Sequence, residues 1–292
     1  QWGIRWLVVP DIVNIRVLRY FMLLVFVGAF MPVGAAPKNI LVEQSFDAKR
    51  GYIDIAIRIN GIDTRAMLDT GAEVNVISQV FIDRHGLQFS QSGSLNVNGL
   101  FESKTLPLVD GVSVTFLGQQ QTYDKNIVAP TLPYDVIMGV PVLVDRLVQI
   151  DYPYQKIRLL DQAKTPLKQV ANLPFGSKGR LFTIAAFVQD SPLQLVLDTG
   201  NNGGIVVSHK KASEQGWLRR YEKKPSQTKG LYQRAIPTQI IKVPRAKVGP
   251  FNLSNAIIHV PDPANAGYNL DSGQHSDGLI GYGMLKNFVL TL

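Results

Sequence analysis

Apolar residues in this chain fall in many short runs punctuated by Pro, Gly, Asn and Asp, with only short stretches of helical periodicity between them. Short apolar runs bounded by turn residues predict strands, so the pattern predicts an all-β fold. Two of the runs end alike. Ala66-Met67-Leu68 leads into Asp69-Thr70-Gly71-Ala72, and Leu195-Val196-Leu197 leads into Asp198-Thr199-Gly200-Asn201. The segments beyond these triplets are also alike. Val76-Ile77-Ser78 and Val206-Val207-Ser208 predict short strands closed by a Ser at a helix N-cap. Gln79 to His85 and His209 to Gln215 predict two helical turns each, and Gly86 and Gly216 stop them.

The doubling continues downstream. Gly99-Leu100-Phe101-Glu102 is matched by Gly230-Leu231-Tyr232-Gln233, and Asp135-Val136-Ile137-Met138-Gly139 by Asp277-Gly278-Leu279-Ile280-Gly281. Similar apolar tails come next, from Val142 to Ile150 and from Met284 to Leu290. Four landmarks in one order mark an internal repeat of the chain. The spacing widens mostly between the third and fourth landmarks. There the second copy carries Pro261 to His275, whose Pro, Asn, Gly and Asp predict a long surface loop.

The chemistry stems from the doubling. One Asp-Thr-Gly is a weak signal, because turn chemistry alone favours such triplets. Sugar kinases and other phosphoryl-transfer enzymes also place Asp and Thr near Gly after a strand, but their folds alternate strands with long helices, which this pattern lacks. Two copies supply two carboxylates, Asp69 and Asp198. Held face to face they share one proton, because both cannot ionise cheaply. One can then take a proton from water while the other donates to a carbonyl.

The layout of apolar-apolar-Asp-Thr-Gly, a Gly-bearing hairpin, and Asp-x-apolar-apolar-Gly resembles the aspartic peptidases, in both their retroviral-type and pepsin-like branches. The resemblance runs in two copies from about Asp47 to the end of the chain. It implies two pseudo-twofold-related retropepsin-like lobes with short helices and an active-site cleft between them, carried in one chain by a two-lobed bacterial member. It further implies Asp69 and Asp198 as the catalytic pair, and Thr70 and Thr199 bonding across the lobe interface. Gly71 and Gly200 would let backbone N–H groups approach the carboxylates. The hairpins at Gly99 and Gly230 would serve as flaps over an extended peptide, with Phe101 and Tyr232 as their aromatic candidates. Glu73 stands where retroviral-type enzymes carry an Asp that grips substrate backbone; a solvated loop Glu is the equal alternative. The chain departs from the family at Asn201, where Ser, Thr or Ala is usual, and in lacking an Arg just after Gly139 and Gly281. The implied function is an aspartic endopeptidase acting on protein or peptide substrates. The rival reading is an inactive secreted relative that holds extended peptides by strand addition.

No metal or cofactor is expected. His85, His209, His259 and His275 have no metal-ligand spacing. With no Cys, there is no thiol nucleophile and no disulfide. Ser78 and Ser208 read as caps, not nucleophiles. The 292 residues, 46% apolar, suffice for two small lobes. The apolar run from Tyr20 to Phe30 lies after Arg16 and Arg19 and precedes Val33-Gly34-Ala35-Ala36-Pro37. It reads as an export signal, with an uncleaved anchor as the alternative, so the expected location is the periplasm or cell surface. Gln1 to Asn14 read as lying upstream of the true start or as part of a fragment, and the tail at Leu292 as lacking a last strand. The expected organisation is a signal or anchor over 1–36, a first lobe over 37–164 and a second over 165–292, folding as a monomer that is an internal pseudo-dimer.

Charge is local. The chain is +8 overall, yet from His209 to Pro250 there are 11 Lys or Arg against Glu214 and Glu222. A solvated basic face is the commoner explanation; attraction to acidic substrates or an anionic envelope surface is the functional one. No motif supports nucleic-acid binding.

Overall fold

The computed structural model describes residues 3–4, 7–8, 39–98, 103–165, 173–178, 180–229, 235–262 and 276–292. The export-signal run, Gly99, Phe101, Gly230, Tyr232 and His275 lie outside them. Among the described residues no helix is long and apolar enough to cross a membrane.

The fold is all-β with a few short helices. Strand formation obeys local pattern. In Ile53–Ile59 every second side chain is a buried Ile, and Ile62–Leu68 pairs back on it. The two-residue turn Asn60-Gly61 adopts positive φ at both positions (48° and 83°), the geometry that matches strand twist in tight hairpins. The helix Gln79–His85 stops at Gly86 with φ 61°, as its sequence predicts. Ser78 stands at the N-cap position without making a side-chain cap bond, whereas the Ser208 hydroxyl accepts from Lys211 N–H at 3.1 Å.

Two nine-stranded sheets repeat one arrangement. In the first, Ile62–Leu68 is succeeded by Val136–Met138, Val76–Ser78, Asn126–Ala129, Ser103–Asp110 and Ser90–Asn98. In the second, Ser191–Leu197 is succeeded by Gly278–Ile280, Ile205–Val207, Phe251–Pro261, Ala235–Val248 and Lys223–Lys229. The directions match as well. The strand before each Asp runs parallel to the Asp-x-apolar-apolar-Gly strand, which is antiparallel to the short strand after the Asp loop. The hairpins flanking 99 and 230 form, Asn98 pairing with Ser103 and Lys229 with Ala235.

A third sheet joins the halves. Leu147–Asp151 lies between Lys156–Leu160 and Phe288–Thr291, so the tail of the second repeat pairs with that of the first. One buried apolar cluster runs through both halves and this sheet, from Ile53 and Phe81 through Ile150 and Ile157 to Trp217, Ile258 and Leu290. Much of the repeat's polar punctuation is structural. Asp135 accepts from the Thr64 hydroxyl (3.0 Å) and meets Arg84 (3.3 Å); Asp277 accepts from Gln194 N–H (2.8 Å) and meets Lys211 (3.1 Å). Lys211 of the basic stretch is thereby engaged within the fold.

Gly278 illustrates how tightly the strands meet. A Cβ there would overlap the Val206 carbonyl, a backbone group that cannot swing aside. Gly204, by contrast, has its nearest neighbour for a Cβ at an ordinary 3.5 Å. Gly278→Ala is expected to lower unfolding free energy by about 2 kcal/mol or more, and Gly204→Ala by less than about 1 kcal/mol. Urea denaturation of the two variants checks this; equal effects would contradict the packing described.

Candidate active site

The site is built where the strands Ile62–Leu68 and Ser191–Leu197 end. Ala66, Leu68, Leu195 and Leu197 point into the main core and fix each strand end. The Asp69 N–H donates to the Met138 carbonyl (2.8 Å) and the Asp198 N–H to that of Ile280 (3.0 Å). Each Asp therefore leaves its sheet at a set point, and both loops converge.

Thr70 and Thr199 join the loops. The Thr70 hydroxyl donates to the Leu197 carbonyl (2.5 Å) and accepts from Thr199 N–H (3.0 Å). The Thr199 hydroxyl donates to the Leu68 carbonyl (2.7 Å) and accepts from Thr70 N–H (3.0 Å). Both residues are fully buried. Four crossed bonds in a dry setting tie the halves together directly beneath the carboxylates, and each removes an otherwise costly buried polar group.

The glycines then matter by proximity. Gly71 N–H donates to Asp69 Oδ1 (2.8 Å) and Gly200 N–H to Asp198 Oδ1 (3.0 Å). A Cβ on Gly71 would lie 2.8 Å from the Asp198 carboxyl carbon, and one on Gly200 would lie 2.6 Å from Asp69 Oδ2. Each glycine thus faces the other half's aspartate, and any side chain would push the pair apart. Behind the loops, the Ala72 carbonyl accepts from Val140 N–H and the Asn201 carbonyl from Tyr282 N–H, both at 2.8 Å.

Asp69 and Asp198 face one another across the two loops, each carboxyl against the other half's glycine. Both are half-buried, reachable by solvent yet packed among protein atoms. Burial raises the Asp69 carboxyl above the ordinary range, opposed by the Gly71 N–H. Burial raises Asp198 well above it, reinforced by the negative charge of Asp69 beside it. The pair therefore holds one proton above the usual carboxylate range, and it titrates as a unit. Such a pair can accept one proton and give another in a single event.

The remaining candidates are scattered. Glu73 is exposed and its Oε1 accepts from the Arg180 N–H of the second half at 3.3 Å. Asn201 uses Oδ1 to accept from Gly203 N–H (2.7 Å), closing its own loop. Among the described residues no three His, Asp or Glu side chains converge as a metal site. Sequence reading missed Asn75. It is 3% exposed, accepts from Gly139 N–H (3.0 Å) and donates to Asn126 Oδ1 (3.2 Å), so it locks the first Asp loop to its neighbouring strands. Its one signal is an Asn between Val74 and Val76. In the second half the Gly204 carbonyl does this work, accepting from Gly281 N–H at 2.9 Å.

No curated protein matches the chain. Among solved structures, a retropepsin-like aspartic protease from Rickettsia conorii is similar, with 18% identity over 41% of this chain and 89% of that one, at a TM-score of 0.31. Residues 55–145, which contain Asp69-Thr70-Gly71, match the family model described as "gag-polyprotein putative aspartyl protease".

Proposed function

We propose that this protein is an aspartic endopeptidase that hydrolyses extended polypeptides with Asp69 and Asp198. The observation that carries the reading is the pair itself: two half-buried carboxyls, each packed against the other half's glycine, on loops crossed by Thr70 and Thr199. The family match over 55–145 supports a protease in general terms.

In this reading a water sits against both carboxyls. Ionised Asp69 takes its proton as the water oxygen attacks the peptide carbonyl carbon, while Asp198 gives its proton to the carbonyl oxygen. The tetrahedral diol collapses as Asp69 returns a proton to the leaving nitrogen and Asp198 recovers one from a diol hydroxyl, so the pair ends as it began. The hairpins Ser90–Asn98/Ser103–Asp110 and Lys223–Lys229/Ala235–Val248 would fold over the bound peptide and exclude water, with Gly99, Phe101, Gly230 and Tyr232 proposed as flap residues from the sequence alone. Glu73 would hold peptide backbone at the rim. The proposal extends to an exported protein acting as a monomer in the periplasm or at the cell surface, on the sequence of its N-terminal run alone.

Asp69→Asn and Asp198→Asn are each expected to reduce cleavage of a diverse peptide library by at least about 10³-fold while preserving the fold, since Asn keeps the shape but cannot cycle a proton. Pepstatin should block the wild type and chelators should not. Peptides held but never cut by the wild type would favour the inactive binder.

Activity is expected to trace a bell in pH. The acid limb marks ionisation of the first carboxyl and the alkaline limb loss of the shared proton, the latter displaced upward by burial and by the charge of the partner. Stability carries the matching sign. The folded pair binds its proton more tightly than the unfolded chain does. Its favourable contribution is complete below the ordinary carboxylate pKa and is lost as pH rises through the raised folded value. Urea unfolding across mildly acidic to neutral pH should show this decline in the wild type, and a much flatter one in Asp198→Asn. An identical slope in the variant would contradict the raised pair.

A further inference from the structure

The two halves present different chemistry on the sheet faces that their shared core leaves uncovered. In the first half that face begins at Met67, two residues before Asp69. A second apolar cluster continues it through Ile137, Val76 and Ile127 to Leu106 and Leu108, and Ala72 and Val74 of the Asp loop pack against it. The face therefore runs from the Asp loop to the hairpin Ser90–Asn98/Ser103–Asp110. In the second half it begins at Val196, two residues before Asp198, and passes to Leu279 and Val206. There the apolar cluster ends, with Leu181 against it.

Strand register shows what takes over. Val76 pairs with Ile127 and Ile127 with Leu108; Val206 pairs with His259 and His259 with Ile240. His259 thus holds the place of Ile127. Two residues along, Leu106 pairs with Leu95 across the first hairpin and Thr238 with Ser226 across the second. Val97 lies beyond Leu95 as Thr228 lies beyond Ser226. Alternation along the strands puts these residues on one face. A 3.0 Å hydrogen bond between the Thr238 and Thr228 hydroxyls fixes that face in the second hairpin. Four apolar positions are thus answered by His259, Thr238, Ser226 and Thr228. One pair runs the other way: Lys104, opposite Val97, is exposed, whereas Ile236, opposite Thr228, is buried.

The exchange leaves reachable polar groups. Ile127 is fully buried, whereas His259, Ser226 and Thr228 are half-buried. Burial pushes the His259 imidazole below its ordinary range, so at neutral pH it is uncharged, with one donor and one acceptor. The Thr238 hydroxyl has one hydrogen and two acceptors, Thr228 Oγ1 (3.0 Å) and the Ile236 carbonyl (3.2 Å). When it donates to Thr228, the Thr228 hydroxyl keeps its own hydrogen for a group lying over the sheet. A carboxylate held there would need a fixed cation beside it. Lys224, which shares the face and pairs with Ile240, is exposed.

We propose that His259 and Thr228 set substrate specificity: the side chain of an extended peptide that lies over the second half is polar and uncharged, an amide or a hydroxyl, while the one over the first half is apolar. The inference rests on the aspartic-endopeptidase reading above and deepens it. An amide exchanges bonds with water for bonds with His259 and Thr228. An apolar side chain leaves those groups desolvated and unpaired, which costs more than a lost contact.

The test is cleavage of a diverse peptide library by the full chain, then kcat/KM for peptides that differ only in Gln, Leu or Glu at the preferred polar position. Cuts are expected with apolar residues on one side of the bond and Gln, Asn, Ser or Thr on the other. Thr228→Val and His259→Ile install what the first half carries at the same places. Each is expected to lower the Gln-over-Leu ratio by about tenfold, the worth of one neutral hydrogen bond. Misfolding would lower both rates and leave their ratio alone. Val97→Thr, in the first half, should keep the Gln preference. A wild type indifferent between Gln and Leu, a Glu peptide cut faster than the Gln one, or a ratio unmoved in both second-half variants overturns the inference. The same ratios are read by fluorescence anisotropy as peptide binding, which needs no cleavage. If nothing is cut yet binding prefers Gln and loses that preference in the variants, the protease reading falls alone; if peptides are cut without the preference, only this inference falls.

Discussion

Everything in this structure depends on the four crossed hydrogen bonds of Thr70 and Thr199. Two carboxylates brought together repel one another, and burial raises the cost of charge on both. Something must hold them close without moving. The threonines do so because each hydroxyl donates to a carbonyl of the opposite strand and accepts an opposite N–H, so neither loop can retreat without leaving buried polar groups unpaired. Gly71 and Gly200 are the steric counterpart of that grip. Each presents bare backbone to the other half's aspartate, where even a methyl group would not fit.

The grip also explains the continuity of the core. Separate sheets with separate cores would place the two loops only as well as a linker allows. Here the five-stranded sheet sets Leu147–Asp151 beside Phe288–Thr291, and one apolar cluster passes through it into both halves. The salt links Asp135–Arg84 and Asp277–Lys211 fasten the same strand to the same helix in each half. Such partly exposed pairs contribute modestly to stability, so their use is in register more than in strength.

Duplication sets the plan, but the halves have diverged behind the loops. Asn75 braces the first loop with its side chain, while a bare carbonyl of Gly204 braces the second. Tyr282, whose ring meets Tyr152, bonds the Asn201 carbonyl of the second loop, where the apolar Val140 bonds the Ala72 carbonyl of the first. A homodimer would present two equal carboxyls to one proton. This chain braces its two Asp loops with different groups.

The sequence by itself determined the strands, the turns and the doubling, because these rest on local pattern. Alternating Ile in 53–59, Asn60-Gly61 and the Gly stops at 86 and 216 act within a few residues of themselves. It determined which two aspartates stand at equivalent points, because a repeat preserves position. Only the tertiary structure decided that Asp69 and Asp198 face one another, that Gly71 abuts Asp198 as well as its own Asp, and that the second-half tail pairs with the first. It alone revealed Asn75 as a brace and Tyr152 as a buried hydroxyl at the seam between the halves. Those facts depend on contacts between residues far apart in the chain, and a single Asn or Tyr has no local signature of the partner it will meet. The physical reason is one of range: backbone propensity acts over a few residues, whereas desolvation and charge sharing arise only once the two halves close.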